Sequence, residues 1–199
     1  MKQILPTAAL LLCLAACSPE PADDPVSGAA NETAPTAADP PAPAPSPSAS
    51  PNAPAAANVL TLEGLGALRI GQAVPAGSGW AERGAQISDV CRTITSPDHS
   101  GVYAIVEGGK VRRVTVGERS DVKLIEGIGV GSTEAQVRAA FPGFREAPHE
   151  YVEPPAKYLT APNAAGGDPA LRFEIGADGK VSLVHVGTMP VLGYVEGCA

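Results

Sequence analysis

The chain has 199 residues, with 14 Lys plus Arg against 21 Asp plus Glu, a formal net charge of −7. The basic residues form no stripe, so nucleic acid is not an implied partner. With 22 glycines and 21 prolines the composition is uneven, and the chain divides before it can be read as a fold.

Residues 1–16 read as a secretory signal, with Lys2 in the positive n-region and Ile4 to Leu14 as the apolar h-region. The apolar run, at about 11 residues, is too short for a bilayer span, which takes about 20. Cys13 lies inside this run and would be discarded with it. The leader ends in "LAAC" at 14–17, which resembles the bacterial lipobox. That resemblance implies cleavage before Cys17, acylation of its thiol, and attachment to a membrane through several acyl chains. In a Gram-negative cell, Ser18 in place of aspartate implies sorting to the outer membrane, with the protein facing the periplasm.

Residues 17–58 are expected to form a lipidated, disordered tether. From Ser18 to Asn58 there are 11 prolines, 13 alanines, five acids and no basic residue. Such a stretch buries too little apolar surface to offset ordering entropy. Its polyproline-like backbone, at about 3.1 Å per residue, gives a reach on the order of 100 Å. A proline-motif ligand is the alternative to a plain spacer.

Residues 59–199 are enough for one core, with 13 basic and 16 acidic residues. "GKVRRVTVGERSDVKLIEG" (109–127) returns as "GKVSLVHVGTMPVLGYVEG" (179–197), with eight identities in 19 ungapped positions at an offset of 70. The expected fold is therefore α+β. Two tandem repeats, about 59–127 and 128–199, each pack a short helical segment on an antiparallel sheet of about three to four strands.

Along the chain, "GQAVPAGSGWAERG" (71–84) permits at most a turn or short helix around Trp80, because Pro75, Gly77 and Gly79 interrupt it. "VCRTIT" (90–95) starts the first sheet. "VYAIV" (102–106) and "VRRVTV" (111–116) form a hairpin through Gly108-Gly109. "VKLI" (122–125) is expected to close that sheet. "GSTEAQVRAAFPG" (131–143) is a helix whose cap pairs Thr133 with Gln136. "KYLTA" (157–161), "LRFEI" (171–175), "VSLVHV" (181–186) and "LGYV" (192–195) supply the second sheet, and "PNAAGGDP" (162–169) is a loop.

The Glu-Gly phrase at 63–64 and 126–127 marks where a unit begins, and it recurs at 196–197 before Cys198. Cys91 and Cys198 are the only cysteines of the expected mature domain, and exported compartments favour disulfides, so they are expected to pair. The glycine, Thr-capped helix and "GKV" of Gly131, Thr133, Gln136, Val137, Phe141, Gly179, Lys180 and Val181 resemble the SmpA/OmlA type of outer-membrane lipoprotein domain. Two such units resemble the β-lactamase-inhibitor-protein-like fold. These resemblances imply binding rather than catalysis.

Chemical motifs are sparse. "GIGVGST" (127–133) lacks the lysine of a P-loop. "SPDHSG" (96–101) reads as a turn, because neighbouring residues do not converge as a triad does. His149 and His185 fall in separate elements, "PHEYVEPP" (148–155) reads as a solvated loop, and no metal motif or cofactor motif is present. On the middle strands, Val114, Val116, Val184 and Val186 are expected to face the helices. Val111, Arg113, Thr115, Val181, Leu183 and His185 then lie on the opposite face. Arg113, Leu183 and His185 make that face a candidate for partner binding, with burial against the other repeat the equal alternative.

The expected function is a lipid-anchored, non-catalytic protein-interaction module of the envelope, an assembly scaffold or an inhibitor of a secreted enzyme. Its partners would be the membrane, through Cys17, and an envelope or secreted protein. A small-ligand or glycan binder using Trp80, Tyr103, Tyr151 and Tyr194 is the alternative, and a cell-wall hydrolase is the third.

Overall fold

The computed structural model describes residues 58–86 and 88–198. Cys17, the signal and nearly all of the expected tether lie outside those residues. The domain opens with three short strands, β1 (Val59–Thr61), β2 (Gly64–Leu65) and β3 (Leu68–Arg69). Glu63-Gly64 turns the chain between the first two. Gly64 sits at φ 134°, and a Cβ there would fall on the carbonyl oxygen of Leu68, so only glycine fits. Next come β4 (Ala81–Glu82), β5 (Cys91–Thr95), β6 (Val102–Glu107) and β7 (Lys110–Val116). The chain then returns to the first strands as β8 (Lys123–Leu124), which runs parallel to β1 with Leu60 beside Leu124.

Helix α1 (Glu134–Ala140) follows, with the expected capping box. The Gln136 N–H donates to Thr133 Oγ1 at 3.3 Å, and the Thr133 N–H donates to Gln136 Oε1 at 2.8 Å. Its buried residue, Val137, points into the core. Four strands complete the domain: β9 (Arg145–Pro148), β10 (Lys157–Thr160), β11 (Ala170–Ile175) and β12 (Val181–Gly187). The result is a small α+β protein with one α-helix among the described residues and two mostly antiparallel sheets. One sheet has four strands in the order β3-β2-β1-β8, and the other has eight in the order β4-β5-β6-β7-β12-β11-β10-β9.

The two long central strands pair with each other, and this corrects the expected strand ends. β7 lies between β6 and β12, and β12 lies between β7 and β11, so neither has a free edge for a third partner. The segment 122–125 therefore contributes only β8, to the other sheet. The segment 192–195 is not a strand. It overlaps a 3-10 turn, Val191–Gly193, closed by the Gly193 N–H on the Pro190 carbonyl at 2.8 Å and the Tyr194 N–H on the Val191 carbonyl at 3.2 Å. In the earlier half, 71–84 holds no α-helix. Its Gly71 N–H donates to the Val111 carbonyl at 2.7 Å, and the Val111 N–H donates to the Gln72 carbonyl at 2.8 Å.

A second correction concerns which way side chains point. In β7, Val111 pairs with Val106 and Arg113 with Ile105, so Arg112 is an extra residue. In β12, Val181 pairs with Ile175 and Leu183 with Glu174, so Ser182 is extra in the same way. Each bulge breaks the period-two alternation. Val111 and Val181 thus join Val114, Val116, Val184 and Val186 in the core, all at most 2% exposed, and do not share a face with Arg113. That core is one cluster. It takes Leu60, Leu65, Leu68 and Leu124 from the small sheet, Val137 from α1, and the inward valines, Phe173 and Ile175 from the large sheet.

Candidate functional site

Strand register lines up a polar row on the outer face of the large sheet. Tyr103 sits opposite Thr115, Thr115 opposite His185, and His185 opposite Arg172. Arg113 lies one pleat away, opposite Gly187 and Ile105. On this face Arg113, Leu183 and His185 were expected to meet a partner, with burial against the other repeat the equal alternative. In the structure Arg113, Thr115 and His185 are 1%, 0% and 2% exposed, while Leu183 is half-buried. The cover is supplied by the chain itself.

The C-terminal segment lies over this face as a strap. Arg113 Nη1 donates to the carbonyls of Val191 at 3.1 Å and Tyr194 at 2.5 Å, and Arg172 Nη1 donates to that of Gly193 at 3.0 Å. The two arginines thereby satisfy carbonyls at the end of the 3-10 turn, where cations are favoured. Val191 packs with Ile105 and Cys91, and Leu192 with Ala161, Ala164 and Ala170. Cys91 and Cys198 stand in disulfide geometry, with Cα atoms 5.5 Å apart. Burial pulls the pKa of Arg113 below its ordinary value, with Tyr103 and then Glu174 opposing that pull.

Beneath and beside the strap, Glu174 gathers His149 and His185. His185 Nε2 is 3.1 Å from Oε1, and His149 Nε2 is 3.2 Å from Oε2. His149 Nδ1 accepts the N–H groups of Tyr151 and Val152, each at 3.2 Å, so its proton sits on Nε2 and is donated to the carboxylate. The His149 ring stacks on Tyr158 at 4.7 Å, and the Arg172 guanidinium lies 3.9 Å from the Tyr158 ring centre on the same outer face. Burial pushes Glu174 up, but the His185 and His149 hydrogen bonds outweigh it, so the carboxyl is held below its usual range. Burial drives His185 the other way, towards the neutral form, against the pull of Glu174. The contact is therefore a hydrogen bond from a neutral imidazole to a carboxylate. His185 Nδ1 is taken as well, by Thr115 Oγ1 at 2.9 Å. An imidazole with both nitrogens occupied, and only 2% exposed, has no side left for a substrate. Among the described residues no group of His, Cys, Asp or Glu is placed to hold a metal ion.

The loop 148–155 is solvated, as its sequence suggests: every residue in it is exposed except His149, which anchors it to the sheet. Tyr151 at its tip donates to Glu196 of the strap, which ties the two covers together. Of the other aromatic residues expected at a ligand site, Trp80 and Tyr194 do not meet. Trp80 belongs to the main core and stacks on His99, whereas Tyr194 packs on the outer face and bonds Glu107 at 3.2 Å.

The open feature lies elsewhere, where the small sheet meets the end of α1. A groove of about 290 Å³ is walled by Leu60, Leu124, Phe141, Phe144 and Leu171. Leu62 and Ile125 stand at its mouth, 43% and 81% exposed. Leu62 and Asn163 also line a wider adjoining depression of about 520 Å³ that carries the charged residues Glu63, Arg69 and Asp168. Glu126 lines the apolar part. No single motif pointed to this groove, because its walls come from four separated segments. The only local sign was Ile125, an aliphatic residue beside the Glu-Gly turn.

No protein-family model, curated protein or solved structure matches the chain.

Proposed function

We propose that this chain is a lipid-anchored cell-envelope protein whose folded domain works by binding another protein. The observation that carries the binding part is the groove. It is apolar, open, and flanked by Ile125 at 81% exposure, whereas the ionisable cluster of the outer face is closed off by the strap. An exposed aliphatic lip beside an unfilled apolar groove favours association, because covering it removes apolar surface from water. The address rests on "LAAC" and its leader, and on the Pro/Ala-rich stretch after it. Acylated Cys17 would hold the domain at the membrane, and Ser18 favours the outer one.

We also read the domain as two copies of one unit. Val114 pairs with Val186 and Val116 with Val184, while Thr115 pairs with His185, its own mate at the 70-residue offset. A local two-fold axis through that last pair accounts for all three. The equivalent bulges at Arg112 and Ser182 support the same reading. So does the Gly131–Ser132 clasp on Val181, at 2.8 Å in each direction, which repeats the Gly71–Gln72 clasp on Val111. This arrangement agrees with the tandem, binding-type domains that the sequence resembles.

The test is chemical crosslinking of intact envelopes, followed by affinity isolation of the full-length protein and native mass spectrometry. One reproducible protein partner at a fixed stoichiometry is expected. A small-ligand reading retains one supporting observation, since the groove approaches the ~300 Å³ lower bound of small-molecule pockets. It would appear instead as a bound mass of a few hundred daltons with no protein partner. Cys17→Ala should leave the protein unacylated and release it from the membrane or leave its leader unprocessed. Membrane retention without any acyl mass would overturn the anchor.

A further inference from the structure

We infer that the groove and the adjoining charged depression form one amphipathic site for a partner's peptide segment, in which bulky apolar side chains lie next to Lys or Arg. This rests on the protein-binding reading above and specifies the partner's chemistry.

Size sets the first half of the ligand. A cavity of about 150 Å³ lined by Leu, Ile and Phe is enough to take up benzene. The apolar part here, about 290 Å³ between Leu60, Leu124, Phe141, Phe144 and Leu171, is nearly twice that. It accepts one aromatic or two aliphatic side chains, which is the scale of an anchor residue in a peptide. Leu62 and Ile125 at the mouth then close over the anchor, excluding water from it.

Charge sets the second half. The two depressions together carry three carboxylates, Glu63, Glu126 and Asp168, against one cation, Arg69. None of the three forms an ion pair among the described residues. The adjacent Thr61 side chain and the Glu63 backbone N–H hold the Glu63 carboxyl below its ordinary range, so it is ionised at neutral pH. A segment entering the apolar part and leaving over Leu62 meets this acidic field within one or two residues. Basic side chains would be drawn to it and acidic ones repelled. A second copy of this chain is a poor match, because its own groove mouth is acidic in the same places.

The test uses the full-length protein in its native envelope. A photoreactive benzoylphenylalanine replaces Ile125 or Leu62, with Val90, 75% exposed, as the control position. The expected adduct at 125 and 62 maps to a segment of another protein with a bulky apolar residue within three positions of Lys or Arg. Its yield should fall at least fivefold in the Glu63→Lys, Asp168→Lys background, and also in 0.5 M salt. An adduct to phospholipid, to another copy of this chain, to residues 18–57, or to an acidic segment overturns the inference. An unchanged yield on charge reversal does so too. Protein adducts at position 90 but none at 62 or 125 would sink the groove while leaving the protein-binding reading intact. No protein adduct from any position would sink both.

Discussion

Replacing Cys198 by serine removes the only covalent tie between the C-terminal strap and β5. The closed loop spans a sequence separation of 107 residues. Restricting a loop of that length in the unfolded chain is worth about 4.7 kcal/mol at 25 °C as an upper figure, and native disulfides typically deliver about 2–4. Non-covalent contacts do not substitute for this term, because they act on the folded state. They do decide what opens first. Val191 and Leu192 are fully buried, and Arg113 and Arg172 hold three strap carbonyls, so residues 191–194 should stay in place. Beyond Tyr194, among the described residues, the chain is held by the Tyr151–Glu196 contact, a Thr93 Oγ1–Cys198 Sγ contact at 4.0 Å and the cysteine link. Cys198→Ser should therefore lower stability by about 2–4 kcal/mol, a fall of roughly 10 °C in melting temperature for a domain of this size. Amides of Val195 to Gly197 should exchange early and that of Leu192 late. Cys91→Ser should cost the same, and the double variant no more than either single one. The assay is paired calorimetry and hydrogen exchange, with thiol titration of untreated protein. Two free thiols in untreated protein, or a Cys198→Ser melting temperature equal to wild type, would refute this reasoning.

Acidification should destabilise the domain in two steps of the same sign. Burial holds the folded pKa of His185 below the ordinary imidazole value of 6.5, with Glu174 opposing it and Arg113 and Arg172 adding to it. The unfolded chain therefore binds the proton first, and stability falls as pH drops below about 6.5. Glu174 is also depressed, despite its burial, by its two histidine donors. Its contribution is present above 4.5 and is lost as pH falls through its folded value. Urea midpoints should decrease from pH 7.5 to 5.5 to 3.5, and a profile that rises on acidification from 7 to 5 would contradict the assignment. The Glu-Gly glycines should differ in tolerance. Gly64→Ala meets the Leu68 carbonyl and should prevent stable folding. Gly127→Ala, at φ 78° in open space, should cost about 1 kcal/mol, measured by urea denaturation.

Local signals carried far in this sequence. The capping box of Thr133 and Gln136 and the hairpin around Gly108-Gly109 are specified by residues a few positions apart, and they appear where expected. The errors share a cause, which is dependence on pairing across the sheet. Nothing local announces the bulges at Arg112 and Ser182, yet each reverses the direction of the preceding valine. The direct pairing of β7 with β12 removed the edges that 122–125 and 192–195 were expected to use. His149 and His185 looked unrelated because the residue joining them, Glu174, reaches both only once β10, β11 and β12 are in register. Of the expected docking face, Arg113, Thr115 and His185 lie opposite the core, whereas Val111 and Val181 point into it. What hides the first three is the strap, whose path follows from no short motif.

The groove is where this protein is proposed to meet its partner. The direct measurement is quantitative affinity isolation from crosslinked native envelopes with wild type, Ile125→Asp and Val90→Asp, all full-length and matched for melting temperature. Ile125 and Val90 are both largely exposed, so neither change should disturb the fold. The same protein partner should be recovered with wild type and Val90→Asp, and at least tenfold less of it with Ile125→Asp. Full recovery of that partner with Ile125→Asp would contradict the account.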